Sequence, residues 1–271
     1  MRLEAPTKPL HRIMVYAPPK SGKTVFTTSL PFDRWGDCVY VAADRGSEQL
    51  LGVRPQAREH IRIEKPEDLP HPKGNAMKSA TEIATTDWHL KEGFTPEKPG
   101  VIVWDTLSQT TMDVFRWIVA QERYSHVNVG QKGTANYVAA PDRGDYGMAQ
   151  GFIDNVIGFL FQQRCHVIVV CHADYDTPNP GDPGGMVGGP MTIGKAQIRE
   201  VGREFSCLLH LETSRGADGK AQYKVFTAPH GIWQAGIRMN GVSIPDTVLS
   251  SYPVDFWCRL DDAIMEGASH E

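Results

Sequence analysis

Long apolar runs are missing from this chain. None approaches the roughly 18–20 residues that cross a bilayer, so no membrane partner is expected. Cysteine is sparse. Cys38, Cys165, Cys171, Cys207 and Cys258 are odd in number and form no C-x-x-C pair; four of them lie in or beside apolar runs, as buried free thiols of a reducing compartment do. Met1 to Pro6 carry no apolar stretch of the signal-peptide kind, and a cytoplasmic location is expected. Charge of one sign is lacking too. With 28 Lys and Arg against 32 Asp and Glu, the net charge of −4 rules out a chain-wide electrostatic grip on nucleic acid. A local basic stripe stays open, because screening over about 8–10 Å makes arrangement matter more than total. Internal repeats are absent. Hydrophobic residues make up 41% of the 271, enough for a sizeable core, and the expectation is a single domain with its core over about 10–240 and a tail over 241–271.

What is present is concentrated near the beginning. Residues 12–30 read Arg-Ile-Met-Val-Tyr-Ala-Pro-Pro-Lys-Ser-Gly-Lys-Thr-Val-Phe-Thr-Thr-Ser-Leu. An apolar strand, Ile13 to Tyr16, runs into a tight loop and then a helical segment expected to stop at Pro31. Backbone N–H groups of such a loop, with a helix N-terminus behind them, supply the partial positive charge that phosphates need. The binding loop is therefore Ala17, Pro18, Pro19, Lys20, Ser21, Gly22, Lys23, Thr24 and Val25. Lys23 would reach the β- and γ-phosphates of ATP, and the Thr24 hydroxyl would hold Mg²⁺. Ala17 stands where G-x-x-x-x-G-K-[ST] has its first Gly, which is tolerable where φ is negative. Residues 189–196, Gly-Pro-Met-Thr-Ile-Gly-Lys-Ala, satisfy the first part of the pattern better. No apolar strand precedes them and Ala196 replaces the hydroxyl, so this second match is a decoy.

Further acids and a histidine sit at strand ends. Val101 to Trp104 is an apolar strand ending in Asp105, placed to orient Mg²⁺; the bland alternative is an Asp that begins a turn or caps the following helix. Val39 to Ala43 leads to Asp44, placed to polarise an attacking water, with a loop-capping Asp as the alternative and Glu48 as the nearest substitute. Val167 to Cys171 leads to His172, which at that place can touch the γ-phosphate or serve as an ordinary structural His. Strands at Ile13–Tyr16, Cys38–Ala42, Val101–Trp104 and Val167–Cys171 alternate with helical patterns at Leu107–Val119 and Phe152–Leu160. That alternation predicts an α/β fold with a mostly parallel sheet covered on both faces. Leu208–Leu211, Tyr223–Phe226 and Ile232–Gln234 predict a C-terminal antiparallel extension.

Basic residues offer two candidate nucleic-acid surfaces. Lys195, Arg199 and Arg203, at i, i+4 and i+8, would share one face of an amphipathic helix whose other face carries Ile198, Val201 and Phe205. Arg123, Lys132 and Arg143 are interleaved with Tyr124, His126 and Tyr137, as in single-strand binders, but without period. Either set could equally be a solvated face. Residues 64–100, 123–147 and 173–194 are expected to be irregular, the first with at most one short helix. In the tail, Phe256, Trp257, Leu260 and Ile264 form an apolar patch expected to close the core.

The order of P-loop, acid after strand two, Asp after strand three, His after strand four, mobile loop and late strands resembles the RecA-like P-loop ATPase core. It is most similar to phage-encoded recombination ATPases of the Sak type (the fourth Sak group). The likeness rests on residues 17–24, 43–46, 103–106, 145–147, 170–172, 190–195 and 235–238. It implies ATP and Mg²⁺ as cofactors, single-stranded DNA and a single-strand-binding protein as partners, and annealing or strand exchange as the activity, in the host cytoplasm for a phage-encoded chain. It also implies a homo-oligomer, ring or filament, in which Arg238 acts on the neighbour's site. Two departures, Gly236 where a Lys is usual and Asp44 where a Glu is usual, imply slow, DNA-stimulated hydrolysis. Two readings compete: a nucleotide or small-molecule kinase with Arg199 and Arg203 in a lid, and a nucleotide-gated assembly module with little turnover.

Overall fold

The computed structural model describes residues 9–44, 53, 55–65, 76–88, 100–120, 128–129, 138–139, 141, 143–177, 185–194, 197–216, 219–238, 242–249 and 253–268. The chain order is β1 (Arg12–Ala17), α1 (Lys23–Thr27), α2 (Phe32–Trp35), β2 (Cys38–Ala42), α3 (Pro55–Arg58), β3 (Ile61–Glu64), α4 (Ala76–Thr85), β4 (Val101–Asp105) and α5 (Leu107–Ala120). It continues through β5 (Asn128–Val129), β6 (Val138–Ala139), α6 (Arg143–Gln162), β7 (His166–Asp176), β8 (Val187–Pro190) and α7 (Gln197–Glu200), the last running into a 3₁₀ turn over Val201–Glu204. Then come β9 (Cys207–Arg215), β10 (Ala221–Phe226), β11 (Gly236–Ile237), β12 (Thr247–Val248) and α8 (Val254–Ala268).

The main sheet runs β12-β10-β9-β1-β7-β4-β2-β3, with β11 on β9 and β8 on β7. From β9 to β3 all neighbours on this path are parallel, while β10 and β12 extend it antiparallel. This is the expected α/β arrangement, a mostly parallel sheet with an antiparallel extension. The central strands are apolar on both faces because helices cover both. Along β1, Met14 and Tyr16 enter one core with Trp104, Phe152 and Leu160. Ile13, Val15 and Ala17 enter the other with Phe26, Trp35, Trp257 and Leu260. Helices α4, α5 and α6 pack on one another over the first face. Residues of α1, α2 and α8 fill the second. The four cysteines in apolar runs are buried, and all five are free.

Several local expectations are revised. The helix after the loop ends at Thr27, short of Pro31, because Thr27, Thr28 and Ser29 turn their hydroxyls back to the carbonyls of Lys23, Thr24 and Val25 at 3.0, 2.7 and 2.7 Å. Ile232–Gln234 forms no strand: Trp233 makes only isolated bridges, to Gly188 and His230, and the antiparallel partner of β9 there is β11. Residues 173–176 and 187–190, expected to be irregular, form a hairpin between β7 and β8. The edge strand β3 and the β5–β6 ladder went unforeseen, being short and without clear alternation. Tail residues Phe256, Trp257, Leu260 and Ile264 are buried, closing the core as expected. The Trp257 indole N–H donates to the Phe26 carbonyl at 2.9 Å.

Candidate functional site

In a parallel sheet, binding groups gather where strands end at their carboxyl edge. Four strand ends come into line here by register. Ala17 of β1 pairs with His172 of β7, Asp105 of β4 pairs with Val170 of β7, and Ala42 of β2 pairs with Asp105. The loop after β1 rises from that edge. Lys20 and Gly22 take left-handed φ of 63° and 81°, the turn conformation that makes anion-binding concavities. Gly22 suits that φ, and a Cβ there would meet the Tyr223 ring at 3.1 Å, so β10 also constrains the loop. Residues 19–25 of the loop then line a cleft of about 290 Å³ together with Tyr40, Ala42, Asp44, Asp105, Thr106 and His172.

Lys23 is folded into its own loop, where its ammonium donates to the carbonyls of Ala17 at 2.9 Å and Pro18 at 2.8 Å. Burial draws its pKa down to about 8, against the opposing pull of Asp105, Cys171 and Asp44. Asp105 accepts from Thr24 Oγ1 at 3.2 Å and from the Tyr40 hydroxyl. Its carboxyl is raised above the ordinary range by burial, although the Tyr40 and Thr24 hydrogen bonds and the Lys23 charge favour the ionised form. The helix-cap alternative fails for Asp105: Thr106 Oγ1 accepts from the Gln109 N–H at 3.1 Å and caps α5. A hydroxyl and a carboxylate in contact, beside a buried cation held by carbonyl groups, are the donors a hard divalent ion and phosphate oxygens take. The residues therefore fit Mg²⁺ and a nucleoside triphosphate. Tyr40, which sequence reasoning missed, is part of the arrangement. Its place in an apolar strand read as core, and only register put its hydroxyl on Asp105.

Asp44 follows β2, with its backbone N–H donating to the Asp105 carbonyl at 3.2 Å. Its carboxylate lies 3.9 Å from His172 Nε2. Burial lowers the His172 pKa, Lys23 adds to that, and Asp44 opposes it. The buried Nδ1 of His172 has no hydrogen-bond partner among the described residues. Its backbone is tied to both neighbours: the N–H donates to Ser108 Oγ at 2.9 Å, and the carbonyl accepts from Met191 N at 2.7 Å.

Arg238 does not line this cleft. It lies exposed at the end of β11, its guanidinium donates to the Arg203 carbonyl, and both arginines border a second groove with Met186, Ile232 and Trp233. The helix expected to carry Lys195, Arg199 and Arg203 changes character within the described residues: the α-helix ends at Glu200 and a 3₁₀ turn follows over Val201–Glu204. Arg203 is exposed and pairs with Glu200 at 2.5 Å. The apolar side holds as expected, with Ile198, Val201 and Phe205 buried. Arg143 is exposed at the start of α6. Arg123, Lys132 and Lys195, and the side chain of Arg199, lie outside the described residues, as does Glu48. The decoy loop is no phosphate cradle. Gly189 belongs to β8, and a Cβ there would meet the Ile198 carbonyl at 2.8 Å, so close packing explains that glycine.

A family model described as an AAA domain matches residues 11–239. Among solved structures, the crystal structure of the RadB recombinase is similar with a TM-score of 0.48 and 13% identity, over 90% of each chain. No curated protein matches.

Proposed function

The chain belongs to the AAA domain family and is an ATPase in general type; on that premise we propose a Mg²⁺-dependent, slowly hydrolysing recombination ATPase that binds single-stranded DNA and promotes its annealing or strand exchange. The observation that carries the catalytic half is the convergence of Lys23, Thr24, Asp105, Asp44 and His172 on one cleft from four aligned strand ends. Lys23 leaves its loop carbonyls for the phosphates, exchanging two neutral acceptors for a charged one. Thr24 and Asp105 hold Mg²⁺, which neutralises phosphate charge when bound. Tyr40 fixes the Asp105 carboxylate. Asp44 orients water, and its side chain, one methylene shorter than Glu, reaches less far, which supports slow turnover. His172 couples the cleft to the segment beginning at Met191 through its own backbone. Arg238, absent from its own cleft, acts on a neighbour's. An arginine supplied in trans ties hydrolysis to assembly into a ring or filament.

DNA binding draws on exposed Arg143 and Arg203 and on the basic positions Arg123, Lys132, Lys195 and Arg199, with a single-strand-binding protein as a further partner. The test is fluorescence anisotropy of a labelled single-stranded oligonucleotide, with and without Mg²⁺-ATP, at two salt concentrations. Salt-sensitive binding that changes with ATP is the expected result. Absence of binding under every condition would overturn the DNA reading. ATP consumption with a small acceptor and indifference to DNA would instead mark a kinase; ATP-driven assembly with almost no turnover would mark a switch.

A further inference from the structure

Beyond the nucleotide cleft, β9 carries two ligating side chains on one face, His210 and Glu212, two residues apart. A turn after β10 brings a third, His230, over them. The turn is closed by reciprocal backbone bonds between His230 and Trp233, at 2.9 and 3.2 Å. His210 Nδ1 lies 3.1 Å from His230 Nε2 and 3.9 Å from Glu212 Oε1, and His230 Nε2 lies 3.2 Å from the same carboxylate oxygen. Ligands at about 2.0–2.2 Å from a tetrahedral zinc ion stand roughly 3.3–3.6 Å apart. The three separations bracket that range. None of the three residues lines the nucleotide cleft.

The rings are oriented by stacking. His210 lies 4.6 Å from the Tyr16 ring and 4.7 Å from the Trp233 ring, and His230 stacks on Phe226 at 3.4 Å. The far ring nitrogens, His210 Nε2 and His230 Nδ1, have no hydrogen-bond partner among the described residues, so stacking does the orienting that a second ligand shell usually does. His210 is fully buried while Glu212 is partly exposed, which leaves the fourth coordination position toward solvent.

We propose that His210, Glu212 and His230 form a site for one divalent transition-metal ion of the zinc class. Two imidazoles and one carboxylate suit Zn²⁺ or Co²⁺, whereas Mg²⁺ prefers all-oxygen sets such as Thr24 and Asp105. The ion cross-links β9 to the turn over 227–234. Gly188 N–H donates to the Ile232 carbonyl at 2.7 Å and Gln234 N–H to the Gly188 carbonyl at 3.1 Å, so the cross-link extends to β8. It thereby steadies the segment that leads into Arg238.

The experiment titrates metal-stripped, full-length protein with Zn²⁺ against a chromophoric chelator, and with Co²⁺ read by visible absorption. One equivalent bound at micromolar affinity or better, with a tetrahedral cobalt spectrum, is expected. His230→Ala and Glu212→Gln, both at partly exposed positions, should each weaken zinc binding at least tenfold and abolish the cobalt spectrum. Circular dichroism and nucleotide binding verify that these variants stay folded. Less than half an equivalent bound by the unmodified protein would overturn the site. So would zinc binding unchanged in both variants, which would mean that other histidines capture the ion.

Discussion

Lys23 is a buried cation whose acceptors among the described residues are carbonyl groups of its own loop. Removing its ammonium deletes the buried positive charge proposed to meet the phosphates. Lys23→Ala should reduce affinity for a fluorescent ATP analogue at least about 100-fold, since a desolvated charge-assisted contact contributes about 1.5–3 kcal/mol and its phosphate partner is then left unpaired. Binding within threefold of the unmodified protein would remove Lys23 from the site. Asp44 makes a different demand, because the role proposed for it depends on reach. Asp44→Glu, which restores the missing methylene, should raise the steady-state ATPase rate several-fold, and Asp44→Ala should lower it. A rate that falls equally in both variants would assign Asp44 to loop capping. The loop lysine was legible from its motif alone. Asp105 was legible as an acid at a strand end, yet its freedom from capping was not, because the choice between Asp105 and Thr106 depends on where the first turn of α5 begins.

Elements show where short-range chemistry overrides periodicity. Three consecutive hydroxyl side chains shorten α1 to five residues. After α7 the chain tightens into a 3₁₀ turn over Val201–Glu204, with Ile198, Val201 and Phe205 buried. Helix α8 is the element that seals the second core, and one end of it is held electrostatically. Asp261 accepts from His11 at 2.7 Å and lies 3.6 Å from Arg34, whose guanidinium also donates to Asp262 at 2.5 Å. Burial raises the Asp261 pKa, but the hydrogen bond from His11, with Trp35 and His166 adding to it, outweighs burial, and the net shift is downward. A carboxyl with a lowered folded-state pKa adds stability above its unfolded value, near 3.9, and loses it as pH falls through the folded one. Asp261→Asn should therefore cost about 1–2 kcal/mol at pH 7 in urea unfolding, and the difference should shrink below about pH 4. A difference independent of pH would mean that packing, not charge, holds this end of α8.

At the scale of the whole molecule, the site exists because register lines up strands distant in sequence. β1 and β7 stand side by side although Arg12 and its partner Val167 are 155 positions apart in the chain. Arg238 is carried to a different groove, beside Arg203. If it completes a neighbour's cleft, Arg238→Ala should leave nucleotide affinity of the monomer unchanged. It should lower the ATPase rate of the assembled, DNA-bound protein by about 10³-fold, the lower end of what an arginine finger supplies. Mixing the variant with Lys23→Ala protein should restore part of the activity, since the Lys23→Ala subunit lends its Arg238 to a neighbouring cleft that keeps Lys23. No loss with Arg238→Ala, or no rescue on mixing, would place the finger elsewhere.

The sequence by itself determined the loop proposed to cradle phosphate, the acids and histidine at strand ends, the apolar strands of a parallel sheet and the closing role of the tail. Each is a local signal: a motif, a run or a period carried by neighbouring residues. Tertiary structure alone decided that Tyr40 reaches Asp105, that Tyr223 bounds the loop at Gly22, that Ile232–Gln234 is a turn against β8, and that His210, Glu212 and His230 meet. Those outcomes depend on which strands are neighbours and in what register. Register is set by the summed burial of side chains across the whole sheet, a quantity that no single segment of the chain contains.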